Sequence, residues 1–505
     1  MRKDFSFFKN RRGVILITVY LVAAILLILG AAFLIRVIHE ANISERDRHA
    51  TEALYIAEGA VQQILFDLRR DMSNSSDWFD NDINGMTVLP TMISWTTIPY
   101  VSNAMGDGTF LVELQGKTGN TSAMLIRTTG TSGGVTRRLL IHSEMINLNS
   151  WNNVIFSGAG QSGNAIDGNV DIRGSVHILG TSLSSTDLAM DLDGSANIGN
   201  NYNGMPAVLR TKLPPPPMIT FNAENVESLG AEVRIKKGKL GLSGAAYAGT
   251  ADVTGNSLKE TLNGLYITNG YDGNKGAANV NSDNGTSNSY DADDAVTFQN
   301  FSNSFKDGVT VYPTYTDYVQ AKGLNLSAYG IGTISADTPN FGPYTDGNGN
   351  QIKWVRSTGM LDITGVVYVN STLDVGKKDA TVLYRGIGTM VALGASSDIK
   401  VHGDLLSNGV FATTDAMAFV SQRNVEITTG GGETQVNVAG VFYAQNEIKS
   451  AKQNQLAGIF NSNHFDMDNV PSIYQVPSFN AANHPGLIAR EPIFFMKISS
   501  WQEVQ

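Results

Sequence analysis

The chain contains no cysteine. A disulfide framework, a thiol nucleophile and a cysteine-ligated metal are therefore excluded, and any exported portion must hold together without covalent cross-links. Charge is also scarce. Asp, Glu, Lys and Arg make up 16% of 505 residues, against the quarter or so usual in soluble domains. That excludes a coiled coil with charged flanks and a disordered acidic tail. Proline is sparse at 14 residues and absent before Pro90, so nothing interrupts a long helix over the first part of the chain. No His-Glu-x-x-His zinc pair occurs.

The charge that is present is unevenly placed. Arg2, Lys3, Lys9, Arg11 and Arg12 precede residue 13 against Asp4 alone, whereas the remainder holds 31 basic and 45 acidic residues. An overall net charge of −10 carries no general nucleic-acid footprint. Directly after the basic head comes an uncharged run, VILITVYLVAAILLILGAAFLI, from Val14 to Ile35. As a helix it would extend about 33 Å, enough to cross a hydrocarbon core. Helical spacing then continues: Ala50, Ala53, Leu54, Ala57, Val61, Ile64, Leu65 and Leu68 recur three or four apart. This outer half is amphipathic and has to bury its stripe against a folded partner.

A basic leader ending in Arg12-Gly13, an apolar stretch and one continuous helix together resemble a type IV prepilin. The block Glu52-Ala53-Leu54-Tyr55-Ile56-Ala57-Glu58-Gly59-Ala60 resembles the small-residue segment of PilX-type minor pilins. The resemblance implies cleavage by a prepilin peptidase after Gly13, with Val14 as the first mature residue. It implies the inner membrane and other pilin subunits as partners of the helix, with the bulk of the chain exported. It also implies a role in pilus assembly or priming, or display at the tip with adhesion to a surface glycan or protein receptor. Thr18 stands at the fifth mature position, where most pilins carry glutamate; some minor pilins and the tip pseudopilin of type II secretion also lack it. The alternatives are a membrane-anchored β-helix adhesin outside any pilus, and a polysaccharide-acting β-helix enzyme.

Beyond the helix the pattern is β. Thr109–Gln115, Ala123–Thr128 and Val135–His142 alternate apolar and polar residues between turn-rich segments, and predict a small antiparallel sheet laid on the helix. Gly116-Lys117-Thr118 is a hairpin turn rather than a phosphate loop, because Leu111 stands where such a loop needs glycine. From Trp151 onward short β-branched rungs alternate with Gly and Asn. Gly168–Arg173 and Gly174–Leu179 form a tandem six-residue unit. Leu373-Asp-Val375, Ile399-Lys-Val401 and Val425-Glu-Ile427 recur at intervals of 26 residues, with a fourth copy at Glu447–Lys449. Each follows an apolar rung, at Val367–Val369, Ala392–Gly394 and Ala418–Val420. Such a period predicts stacked coils, most economically a right-handed parallel β-helix, with Asp374, Lys400 and Glu426 in one outward row.

The expected class is α+β. Residues 1–13 are a leader, 14–70 the long transmembrane and amphipathic helix, and 71–150 the small sheet. A first β-helix section covers 151–218, a loop-rich insertion 219–355 and a second β-helix section 356–505. Within the insertion, the stretch from Tyr315 to Leu324 reads as a short helix. No catalytic set, cofactor or metal is expected. The histidines at 39, 49, 142, 177, 402, 464 and 484 read as surface residues. The acidic stretches Tyr290–Asp294 and Asp346–Asn350 read as solvated turns, the second lacking the spacing of an EF-hand.

Overall fold

A computed structural model describes residues 11–74, 82–83, 86–87, 94–117, 120–163, 166, 168–292, 294–467 and 471–504. Most of the expected leader, residues 1–10, lies outside this range. A long N-terminal apolar helix is followed by a large β-rich domain, and the chain divides into two compact units. One comprises Met1–Ile146 with Met496–Gln505, the other Asn147–Phe495.

In the first unit a single helix runs Arg11–Asn74. Its outer half buries Ala53, Ile56, Ala57, Ala60, Val61, Ile64, Leu65 and Leu68; six of these are in the stripe that the spacing predicts, whose Ala50 and Leu54 are half-buried instead. The covering sheet contains Gly108–Lys117, Asn120–Ser132 and Val135–Asn147 as antiparallel neighbours. The last strand, Phe494–Val504, lies at the far side of Val135–Asn147 in the same sheet. Its terminal residues were expected in the second β-helix section. The structure corrects this: Arg137 pairs with Glu503 at 2.9 Å, and Ser499 Oγ donates to the His142 carbonyl at 3.2 Å. The second unit is thus an insertion between two adjacent strands of the first.

Strands of the second unit pair in parallel over long rows. One inward row reads Leu324, Val367, Met390, Phe419, Phe442, Phe460, Ile155, Val176, Val233 and Leu265, each in register with the next, and every member is buried. The rings of Phe419, Phe442 and Phe460 stack at 5.3 Å between successive centroids. A second row joins Leu373, Ile399, Val425 and Ile448. The preceding rung is shifted from its sequence reading. Val367 faces Met390 and then Phe419, rather than Ala392 and then Ala418, the residues aligned by spacing.

Order along the inward row differs from order along the chain. The chain enters mid-row at Ile155 and proceeds outward to Leu265. It then resumes at the opposite end with Leu324 and returns until Phe460 pairs with Ile155. The expected division of 151–218, 219–355 and 356–505 is corrected accordingly. Glu232–Ile235 and Gly264–Ile267 extend the first rows, and Leu324–Asn325 and Thr333–Ile334 begin the later ones. The helix within this region runs Tyr315–Lys322, opened by a Thr314–Asp317 capping box.

Tyr290, Asp291 and Phe298 lie along the outer side of the inward row, between its two halves in the chain. Tyr290 OH is 2.8 Å from His177 Nε2, and Asp291 accepts from Arg234 at 2.9 and 3.2 Å. Phe298 stacks on both Phe156 and Tyr443, at 6.4 and 5.7 Å. Tyr290 and Asp291, expected in a solvated turn, are therefore held against the row, whereas Asp294 is exposed. The row's last strand is closed by amides: Asn284 Oδ1 accepts the Leu265 N–H at 3.0 Å, and the Asn284 and Asn288 amides donate to its carbonyl. These bonds occupy backbone groups that an open edge would leave unpaired.

Candidate functional site

The first candidate is the long helix. Among the described residues it is the helix long and apolar enough to cross a membrane. Its inner part leaves Ile15, Leu16, Ile17, Leu26, Leu27, Phe33 and Ile35 exposed, a surface that water does not favour. Arg12, Gly13 and Val14 lie in its first turns, and Thr18 sits within the exposed stretch.

Farther along, Ala53 and Ala57 occupy the face turned to the sheet, while Glu58 is half-buried beside them. A Cβ built on Gly130 would lie 2.1 Å from the Ala53 carbonyl oxygen and 2.6 Å from the Ala57 nitrogen. Strand and helix backbones meet there, so no side chain fits at position 130, and Ala53 and Ala57 are the helix residues it abuts. Thr128 Oγ1 donates to the Ala57 carbonyl at 3.0 Å, tying the two backbones together.

A polar knot locks the adjoining hairpin. Ser132 Oγ donates to Glu52 Oε2 at 2.7 Å, and His49 Nδ1 lies 2.9 Å from Ser132 Oγ and 3.2 Å from Glu52. Gly130-Thr-Ser132-Gly-Gly134 has the spacing of a hydrolase elbow, but Ser132 sits in a hairpin end and donates its hydrogen bond to Glu52. Gly158-Ala-Gly160-Gln-Ser-Gly163 has dinucleotide-loop spacing. It belongs to the strand Ile155–Gln161 and opens no helix, so the phosphate-binding geometry is missing.

The second candidate is the outer surface of the inserted unit. Leu373, Ile399 and Val425, and Val375, Val401 and Ile427, form two buried columns. Between them Asp374, Lys400, Glu426, Lys449 and Asp466 form one row of alternating charge. Lys400 Nζ lies 3.0 Å from Glu426, and Lys449 pairs with Asp466. His402 bridges Asp374 and Glu433. Its burial opposes protonation, but hydrogen bonds to Glu433 and Asp374 outweigh that and raise its pKa.

Two histidines depart from the surface reading. His177 is 1% and His484 2% exposed. Burial, with Arg234 and Lys236 nearby, lowers His177 to about 3. Burial and Arg490 lower His484 to about 4 against a bond to the Gly388 carbonyl. Each is neutral when folded and binds a proton more readily when unfolded. The stability they contribute is therefore complete above the unfolded value near 6.5 and declines as pH falls below it. At pH 5 each neutral histidine costs about 2 kcal/mol of stability relative to neutral pH. Comparing urea midpoints at pH 7.5 and 5.0 should show a smaller acid loss in His177→Gln than in the parent chain; an equal loss would remove His177 from the account.

Among the described residues no group of three or more His, Cys, Asp or Glu is arranged to hold a metal ion. Asp346 Oδ1 accepts the Asn348 and Asn350 backbone N–H groups at 2.9 and 3.0 Å, and the Asn348 and Asn350 amides donate to the Lys322 carbonyl, so that stretch is a turn tied to the end of the short helix. Missed from sequence was buried Lys259, whose Nζ lies 2.9 and 2.8 Å from Asp252 and Asp283 and 4.2 Å from the Phe221 ring centroid. Two cavities also went unseen. One, of about 400 Å³, is lined by Asn300, Asn303 and Lys306, and the other, of about 460 Å³, by Lys322 and Asn348.

An apolar N-terminal helix backed by a small sheet, with a large β unit inserted between two strands of that sheet, is an arrangement with a counterpart among solved structures. The crystal structure of the competence-associated pilin ComZ from Thermus thermophilus shares the fold. It aligns over 90% of this chain and 97% of its own, with a TM-score of 0.53 and 18% identity. No protein-family model and no curated protein matches the sequence.

Proposed function

We propose that the chain is a PilX-like minor pilin of a type IV pilus, carrying a right-handed parallel β-helix as its displayed unit. The observation that carries this reading is the continuity of one helix. Its inner part is exposed and apolar, and its outer part packs Ala53 and Ala57 against Gly130 of a small sheet. The inner part holds the subunit in the inner membrane and then packs against other pilin helices as a fibre is drawn out. A prepilin peptidase removes the leader after Gly13 and frees Val14. The parallel rows and the 26-residue spacing support the β-helix. The bulk of the inserted unit hinders addition of a further subunit, which favours priming or the tip over the shaft. In this reading the protein is a structural and binding component, not an enzyme, and the likeness to a competence-associated pilin fits fibre display.

Deletion in the native host tests the reading. Loss of surface fibres, restored by the parent gene, supports priming. Fibres that persist, lack the protein's normal tip label and fail to adhere support display. Fibres of normal number and adhesion, together with a parent protein recovered solely from the inner membrane, would overturn incorporation and leave an anchored surface adhesin.

A further inference from the structure

We propose that the inserted unit binds an acidic oligosaccharide across the two cavities that meet at Arg490. Arg490 lines both. It is fixed there by Asp307 Oδ1 at 3.0 Å, by the Lys306 carbonyl at 3.2 Å and by the Phe305 ring at 5.2 Å. With its charge met by Asp307, it acts as a rigid wall common to both spaces. Each volume lies in the range of small-ligand sites.

The chemistry of the lining selects the ligand. In the first cavity Asn303 Oδ1 accepts the Asn300 backbone N–H at 2.7 Å, and Asn300 Oδ1 accepts from Ser302 at 2.9 and 2.6 Å. Both carbonyl oxygens are thus engaged within the turn, while the two amide NH₂ groups have no protein partner among the described residues. They are donors set for hydroxyl oxygens. Lys306 and Glu491 balance one another in charge in this cavity, which suits a neutral ring. The second cavity differs. Lys322 Nζ has no ion-pair partner among the described residues, and the other charges there, Asp307 and Arg490, cancel in their own pair. An ammonium with no ion-pair partner in a cavity is a local place for an anion, although the chain as a whole is negative. A donor-lined neutral space joined to a cationic one fits a sugar chain with a carboxylate on one ring.

This inference gives the display reading a ligand class and rests on it for its biological use. Binding is measured on the purified chain, so its failure leaves fibre incorporation untouched. The full chain in a zwitterionic detergent without a sugar headgroup is titrated calorimetrically with linear trigalacturonate and with neutral galactotriose. The acidic trimer should bind with saturation. The neutral one should bind about tenfold more weakly, the size of one charge-assisted hydrogen bond. Lys322→Gln should reduce trigalacturonate affinity to the neutral level, and Asn303→Ala should weaken both trimers, with thermal unfolding unchanged in each variant. No saturable heat with either trimer, equal affinity for the two, or an unaffected Lys322→Gln protein would overturn the proposal.

Discussion

Phe442→Ala is expected to destabilise the inserted unit by about 4 kcal/mol, in the range for deleting a buried aromatic ring. Phe442 lies mid-row, fully buried and stacked on Phe419 and Phe460 at 5.3 Å on either side. Removing it opens a void bounded by two rings that cannot both move inward, because their strands are held by parallel hydrogen bonds. Phe442→Leu keeps most of the volume and should cost about 1.5 kcal/mol. Urea unfolding followed by near-ultraviolet circular dichroism distinguishes the two. Similar small losses for both variants would mean that the row is not the structural spine of this unit.

Gly130→Val should separate helix from sheet in the first unit, at a cost of about 3 kcal/mol or more from overpacking. A Cβ at this position would collide with the Ala53 carbonyl and the Ala57 nitrogen, which are backbone atoms and cannot rotate away. Hydrogen exchange of helix amides around Ala53 to Leu65 should rise, while that of the parallel rows stays as it was. Gly134→Ala is the control, since a Cβ there meets nothing within 4 Å, though its positive φ adds modest strain. Exchange that rises equally in both variants would defeat the close packing of Gly130 on Ala53 and Ala57.

How far the sequence reveals this architecture depends on how local each signal is. The helix and the three head strands were legible because their apolar residues recur within a few positions and the turns between them are short. The columns through Leu373, Ile399 and Val425 were legible because the loops between them have equal length. Residues 219–355 were read as loops for the opposite reason. Their strands, such as Gly264–Ile267, are five residues or fewer and are separated by unequal Asn- and Gly-rich connections. No fixed period survives that. Pairing of Phe460 with Ile155, and of the last strand with the first sheet, joins residues far apart in sequence. His177 looked like a surface residue because it alternates with the inward Val176 and Ile178; it is covered by Tyr290, which hydrogen-bonds it, and by Phe156, itself stacked on Phe298, contacts made through tertiary structure alone. At the candidate sites, Ala53 and Ala57 stood out as small residues, but only the structure sets Gly130 against them. The cavities at Arg490 had no motif at all.

The central claim is that the long helix enters a fibre after its leader is removed. Mass spectrometry of the N-terminus of the protein isolated from its host tests that claim most directly. The account predicts a chain beginning at Val14, N-methylated, and a Gly13→Leu variant that keeps its leader. An intact Met1 on the mature parent protein would contradict it.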